Sequence, residues 1–347
     1  MPAATTPPVF DPDAPAAEGS GIFGLDIPVH EARIVLVPVP FDATTSFRQG
    51  TSDGPAAILA ASHQVDLYDA ELGAIHEVGI ALLEEAPETR HLNTVARTLA
   101  DTARHGNSKA ALVELNSIGD RLHGSVQETV ARQLDREVVV GTLGGEHAVA
   151  FGAIAAHLGR YPEMGVLHVD AHADLRLAFE GLTWSHASVM RNVMEKTALK
   201  RLVQVGIRDV GRGEVKFIRA NPDRITTYFD PDVSRRLLSG TTFATLAAQV
   251  VERLPREVYI SLDIDGLDPT LCPSTGTPVP GGLSFHEICV LLSAVTDSGR
   301  RIVGFDLTEV APGPGDFASS WDANVGARLL YKLCGRAACP RAPAVVG

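Results

Sequence analysis

Six short runs, almost wholly apolar and rich in Val and Ile, recur along this 347-residue chain. They are Arg33–Val39, Glu137–Gly141, Met164–Val169, Leu202–Gly206, Glu257–Leu262 and Arg301–Asp306. A strand with one face in water alternates apolar and polar residues, whereas a strand covered on both faces has no need to. Between the runs lie stretches with helical spacing. "GPAAILAAS" carries Pro55 near its start, "SVQETVARQLDR" begins at Ser125 and "HAVAFGAIAAHLG" at His147. "TTFATLAAQVVERL" and "LSFHEICVLLSAV" each carry a Thr or Ser suited to an N-cap. "NVGARLLYKLCG" ends on Gly335, the expected C-cap. Repeated strand-then-helix order predicts a central, mostly parallel sheet between two helical layers, an α/β fold of three-layer αβα type. No Pro- or Gly/Ser-rich linker divides residues 30 to 335, so one domain is expected over residues 21–340. The preceding residues 1–20, rich in Pro, Ala and Asp, are expected to form a flexible arm.

Composition narrows the function classes. The net charge of -12 leaves no basic footprint for nucleic acid. Aromatic residues are only 5% of the chain, so Ala, Val, Leu and Ile must fill the core. The four cysteines, Cys272, Cys289, Cys334 and Cys339, form no CxxC pair, which predicts reduced thiols and a cytoplasmic setting. The first residues have neither a basic start nor an apolar segment, and no run of 18 apolar residues exists; neither a secretory signal nor a membrane span is expected.

Four of the apolar runs lead into unusual polar residues. The run ending at Gly141 reaches "LGGEH" and His147. The run ending at Val169 reaches Asp170, His172 and Asp174 in "DAHAD". The run ending at Leu262 reaches Asp263 and Asp265 in "DIDGLDP", and the run ending at Asp306 reaches Glu309. In a parallel sheet these gather beyond the carboxyl ends of the strands, where ligands bind. Carboxylates packed this densely raise one another's pKa and cost stability unless a cation lies among them. Two His and four Asp exceed the needs of one ion with an open position, and suit two bridged ions about 3.5–4 Å apart. Mixed oxygen and imidazole donors favour Mn²⁺, with Ni²⁺, Co²⁺ and Fe²⁺ also accepted, and the absence of thiolates argues against structural zinc. His168 is taken as a core or supporting residue rather than a ligand, its alternation being read as out of step with Asp170 and His172.

"GGEH", "DAHAD" and "SLDIDGLDP", followed by "STGTPVPGGL" and "EVAP", resemble the ureohydrolases, the arginase and agmatinase family. The resemblance runs from about residue 35 to 335. It implies an arginase-like αβα fold, a binuclear manganese centre, and hydrolysis of a guanidinium group with release of urea. By position, it implies that His147, Asp170, Asp174 and Asp263 hold one ion, that Asp170, His172, Asp263 and Asp265 hold the other, and that Asp170 and Asp263 bridge. It gives Glu309 a contact to the guanidinium and His186, in "WSHAS", a role in proton relay. It also implies trimers or hexamers. The chain departs from the pattern at Glu146 and Ala148, where many members have Asp and Ser, at Ala187, where agmatinases usually have Gly, and in the ending after "EVAP". These departures resemble a divergent agmatinase-like branch acting on small guanidino compounds, free guanidine included.

The chemistry expected is attack on a small guanidino compound by a hydroxide bridging two ions, Mn²⁺ or Ni²⁺, giving urea and an amine or ammonia. Asp265 would hydrogen-bond the hydroxide, Glu309 would pair with the planar cation, and His186 would protonate the leaving amine. Alternatives are agmatine cleavage to putrescine and urea, loss of an alkylamine from a biguanide, a single-zinc deacetylase-type amide hydrolase, and a non-catalytic partner subunit in a mixed oligomer. In the loop after the first run, Arg48 repels a long cationic amine, attracts a carboxylate tail, or pairs with an acid. Phe179 and Trp184 either wall the site for a planar cation or pack their loop.

Overall fold

A computed structural model of the chain describes residues 10–106 and 108–338. Ten strands lie among the described residues: β1 (Ile34–Val39), β2 (Tyr68–Asp69), β3 (Gly73–Ala74), β4 (Ile80–Leu82), β5 (Val139–Gly144), β6 (Gly165–Val169), β7 (Leu202–Ile207), β8 (Ile225–Phe229), β9 (Glu257–Asp263) and β10 (Arg301–Thr308). Strands β2 and β3 form a small antiparallel hairpin. The other eight form one sheet in the order β4-β1-β5-β10-β9-β6-β7-β8, with every pairing parallel.

Among the described residues ten α-helices accompany the strands: α1 (Gly54–Ser62), α2 (Pro87–Gly106), α3 (Lys109–Leu134), α4 (Ala150–Arg160), α5 (Val189–Lys196), α6 (Arg212–Ala220), α7 (Asp230–Leu238), α8 (Phe243–Glu252), α9 (Phe285–Asp297) and α10 (Trp321–Ala338). Side chains of α1, α8, α9 and α10 join one apolar core on one face of the sheet. Side chains of α2, α3, α4 and α5 join a second core on the other face. The two cores explain the unbroken apolar runs, since every residue of β1 and β7 is buried.

All six expected strands are present, with no end shifted by more than three residues. Two edge strands were not anticipated. β4 has only three residues, and β8 reads "ITTYF" with four of its five residues only partly buried, as suits an edge. The helix expected from Ser125 is the second half of α3, whose start is capped 17 positions earlier: the Ser108 hydroxyl accepts the Ala111 amide at 3.3 Å. The caps of α8 and α9 fall at Thr242 and Ser284, the second residue of each stretch. Gly335 is not a C-cap. Helix α10 continues through it to Ala338, and a β-carbon there would meet the Ile75 side chain at 2.6 Å. Its small size lets the helix pack closely; it does not end the helix. Of the expected arm, residues 1–9 lie outside the described residues, as does Cys339, and residues 10–20 form turns. No helix among the described residues is long and apolar enough to cross a membrane.

Candidate metal centre

Strands β5, β10, β9 and β6 are consecutive in the sheet and parallel, so their carboxyl ends lie side by side. His147 follows β5, Asp170 follows β6, Asp263 closes β9 and Glu309 follows β10. Two glycines permit the crowding. A β-carbon at Gly145 would stand 2.1 Å from the Phe41 carbonyl oxygen, and one at Gly266 would stand 2.7 Å from the Asp170 amide.

The six sequence-selected residues come together in two groups. In the first, Nδ1 of His147 faces Oδ2 of Asp170 at 3.0 Å, of Asp174 at 3.1 Å and of Asp263 at 3.3 Å. In the second, Nδ1 of His172 faces Oδ2 of Asp265 at 3.1 Å and Oδ1 of Asp170 at 3.4 Å. Asp170 therefore turns one oxygen to each group. Asp263 gives its other oxygen, Oδ1, to the Asp265 amide at 2.8 Å.

The charges suit a cation. Burial, then the neighbouring Asp265 and Asp170 carboxylates, push Asp263 well above the ordinary carboxylate range. Burial and then Asp170 raise Asp174 as well. For Asp170 burial also acts upward, but His168 and the imidazole hydrogen bonds prevail and hold it well below that range. The hydrogen bonds behind His147 point the same way. Its Nε2 lies 2.9 Å from the Ser261 hydroxyl, whose single proton goes to Oδ1 of Asp306 at 3.0 Å. Ser261 then accepts from Nε2–H, while burial, which lowers the His147 pKa, is outweighed by the hydrogen bonds to Asp170, Asp174 and Asp263, which raise it well above the ordinary imidazole range and put positive charge at Nδ1. A proton on Nδ1 or a metal ion in its place supplies the positive charge that the three carboxylates call for. Oxygen and imidazole donors in two groups sharing Asp170 fit a pair of divalent ions.

His168 has the supporting role expected of it, though not for the reason of alternation. Positions 168, 170 and 172 have the same parity, so along an extended chain their side chains share a face. The His168 ring points at Asp170, Nε2 to Oδ2 at 2.8 Å, and its Nδ1 accepts from Gln204 at 3.0 Å. With Nδ1 accepting, Nε2 carries the proton given to Asp170, so the ring stands beside His147, Asp170 and Asp174 and orients Asp170.

Glu309 and Asp174 have positive φ, 61° and 53°, a backbone cost of roughly 1–3 kcal/mol each for a side chain other than Gly. The strain sits at the site. Glu309 donates its amide to Gly145 O at 2.7 Å, and its Oε1 accepts the His147 amide at 2.9 Å. Oε2 is buried and has no hydrogen-bond partner. The His186 ring lies beside it, Nδ1 to Oε1 at 3.6 Å, with Nε2 3.1 Å from the Ser46 hydroxyl. Burial acts to lower the His186 pKa, but Glu309, with Glu146 behind it, outweighs this and raises it.

A pocket of about 310 Å³ opens over these groups, lined by His172, Asp174 and His186 with Phe47, Phe179 and Val279. Asp209 and Glu214, not singled out in the sequence, line it too. Asp209 was findable, because "RDV" follows directly on β7 just as "DAHAD" follows β6. Trp184 does not line the pocket. It packs against His123 and Phe151 and donates to Asp120 at 2.7 Å. Arg48 does not line it either; its guanidinium takes the Pro273 carbonyl at 2.9 Å.

A sequence model described as "Arginase family" matches residues 32–335. An N(1)-aminopropylagmatine ureohydrolase of Thermus thermophilus is 34% identical over 316 residues, 90% of this chain and 94% of that protein. An agmatinase of Bacillus cereus is 28% identical over 282 residues, 81% and 84% of the two chains. The solved structure of proclavaminate amidino hydrolase from Streptomyces clavuligerus superposes with a TM-score of 0.72 at 22% identity, over 94% of this chain and 100% of that one.

Proposed function

The chain belongs to the arginase family, and from that premise we propose that it hydrolyses a C–N bond of a small guanidino compound, releasing urea and an amine or ammonia. The observation that carries this reading is the buried, unpartnered Oε2 of Glu309. An acceptor-only carboxylate oxygen beside a cation-binding cluster suits a ligand that only donates, and a guanidinium is such a ligand. The pocket, about 310 Å³, is at the small end of the range for ligand sites, which favours a compact substrate.

His147, Asp170, His172, Asp174, Asp263 and Asp265 would hold two divalent ions, Mn²⁺ or Ni²⁺. When bound, such a pair lowers the pKa of water toward about 7 and so supplies hydroxide at neutral pH. Glu309 accepts the guanidinium N–H through Oε2 and fixes its plane, and Phe179 offers an aromatic face. Asp265 accepts a hydrogen bond from the attacking oxygen. When the C–N bond breaks, the electron pair leaves with nitrogen, which needs a proton. His186 lies beside Glu309 with a raised pKa and is the group placed to deliver it.

The reading extends to a cytoplasmic homo-oligomer, trimer or hexamer, of single catalytic domains over residues 21–340, each preceded by an arm. Three buried free thiols, Cys272, Cys289 and Cys334, are in keeping with a reducing compartment. The test is a panel of guanidine, agmatine, guanidino acids and a biguanide, assayed for urea and amine with Mn²⁺ and with Ni²⁺. Urea from at least one member is expected, and none from any member with either metal refutes the reading. An alkylamine released from the biguanide alone would point to a different cut of the same scaffold.

A further inference from the structure

Glu146 is fully buried, and both its oxygens are taken by one residue: Oε2 accepts the Thr44 amide at 2.8 Å and Oε1 accepts the Thr44 hydroxyl at 2.7 Å. The Thr44 hydroxyl has a single proton, and it goes to Glu146. Its lone pair accepts the His186 amide at 3.1 Å. A second tie runs from the other side, where the His186 ring meets the Ser46 hydroxyl. Arg104 of α2 reinforces the join. It donates to the Thr44 and Thr45 carbonyls at 3.2 and 2.8 Å and to Glu180 at 2.6 Å, so it grips both pocket loops.

We propose that Glu146 and Thr44 are positioning residues for His186: a buried carboxylate–hydroxyl–amide clamp that ties the loop after β1 to the loop after β6 and sets the imidazole beside Glu309. The role of His186 rests on the function proposed above; the clamp itself does not. Neither clamp residue lines the pocket. Removing the clamp therefore lets His186 drift without changing how substrate is held, and a displacement near 1 Å costs about 10²-fold in rate.

The experiment compares the metal-loaded parent with Thr44→Val, Thr44→Ser and Glu146→Asp. Glu146→Asp is shorter by one C–C bond, about 1.5 Å, and reaches neither Thr44 donor. Two readouts are taken: steady-state kinetics on whichever panel compound yields urea, and hydrogen exchange at the His186 amide, which needs no substrate. For Thr44→Val and Glu146→Asp we expect kcat to fall by about 10²-fold with KM and metal content unchanged, faster exchange at His186, and recovery of both in Thr44→Ser. Unchanged exchange overturns the clamp, whatever the activity. Faster exchange with unchanged kcat, or a change confined to KM, overturns the positioning role. If the parent releases no urea, the functional reading fails, and exchange alone decides whether the clamp exists.

Discussion

Replacing Glu309 by Gln changes the site without changing its shape. The amide oxygen can keep the bond from the His147 amide, now 2.9 Å. The NH₂ group then occupies the place of Oε2, which is buried and has no other partner. A donor thus confronts a guanidinium that has only donors to offer. The loss of a charge-assisted hydrogen bond is worth about 1.5–3 kcal/mol, and the buried donors left unpaired cost roughly 1–3 kcal/mol more. Their sum matches the about 3–5 kcal/mol seen when one member of a buried ion pair is removed. At about 1.36 kcal/mol per decade, kcat/KM should fall by roughly 10²- to 10⁴-fold. The assay is urea release across substrate concentrations, with metal content and unfolding midpoint measured alongside. Both of those should stay at parental values. A kcat/KM within about tenfold of the parent, a difference under ~1.4 kcal/mol, would refute the assignment of Glu309 to the guanidinium.

Three further outcomes follow from the geometry. Asp263→Asn removes a carboxylate that faces His147 at 3.3 Å; urea release should be abolished and bound metal, measured by mass spectrometry, should fall below that of the parent. Trp184→Phe should leave KM unchanged in the urea assay, since Trp184 packs away from the pocket, while the lost bond to Asp120 lowers stability by about 1 kcal/mol in urea unfolding. Burial, then Lys196, push His123 down to about 3, so its unfolded form takes up a proton first as pH falls below about 6.5. Its contribution is therefore complete above that pH and is lost progressively on the way to about 3. Over the roughly 1.5 pH units from 6.5 to 5 the loss is about 2 kcal/mol. His123→Phe should be less acid-sensitive by that amount when urea unfolding is compared at pH 7 and pH 5, and an equal sensitivity would contradict the burial argument.

The sheet and the gathering of the six candidate ligands were legible because each part is local. An unbroken apolar run marks a doubly covered strand, and a carboxylate or imidazole within a few residues of its end is carried to the sheet edge by the chain itself. What escaped depends on packing between distant segments. β8 is polar enough to pass for a loop until its neighbour β7 is in place. Nothing near Gly335 says that Ile75 presses on it. Glu146 looked like a simple departure from the family motif, yet its partner Thr44 is 102 positions away. Trp184 and Phe179 lie in one loop and look alike in sequence, and only the fold sends one toward α3 and the other to the pocket. For His168 the reason given, its alternation, was a miscounted parity, while the supporting role agrees with its bonds to Asp170 and Gln204.

Elemental analysis of the protein loaded with Mn²⁺ or Ni²⁺ and freed of excess bears most directly on the two groups that share Asp170. Two divalent ions per chain are predicted. One ion per chain, or none, would mean that the six side chains form a single site or no site, and the hydrolysis proposed would lose its nucleophile.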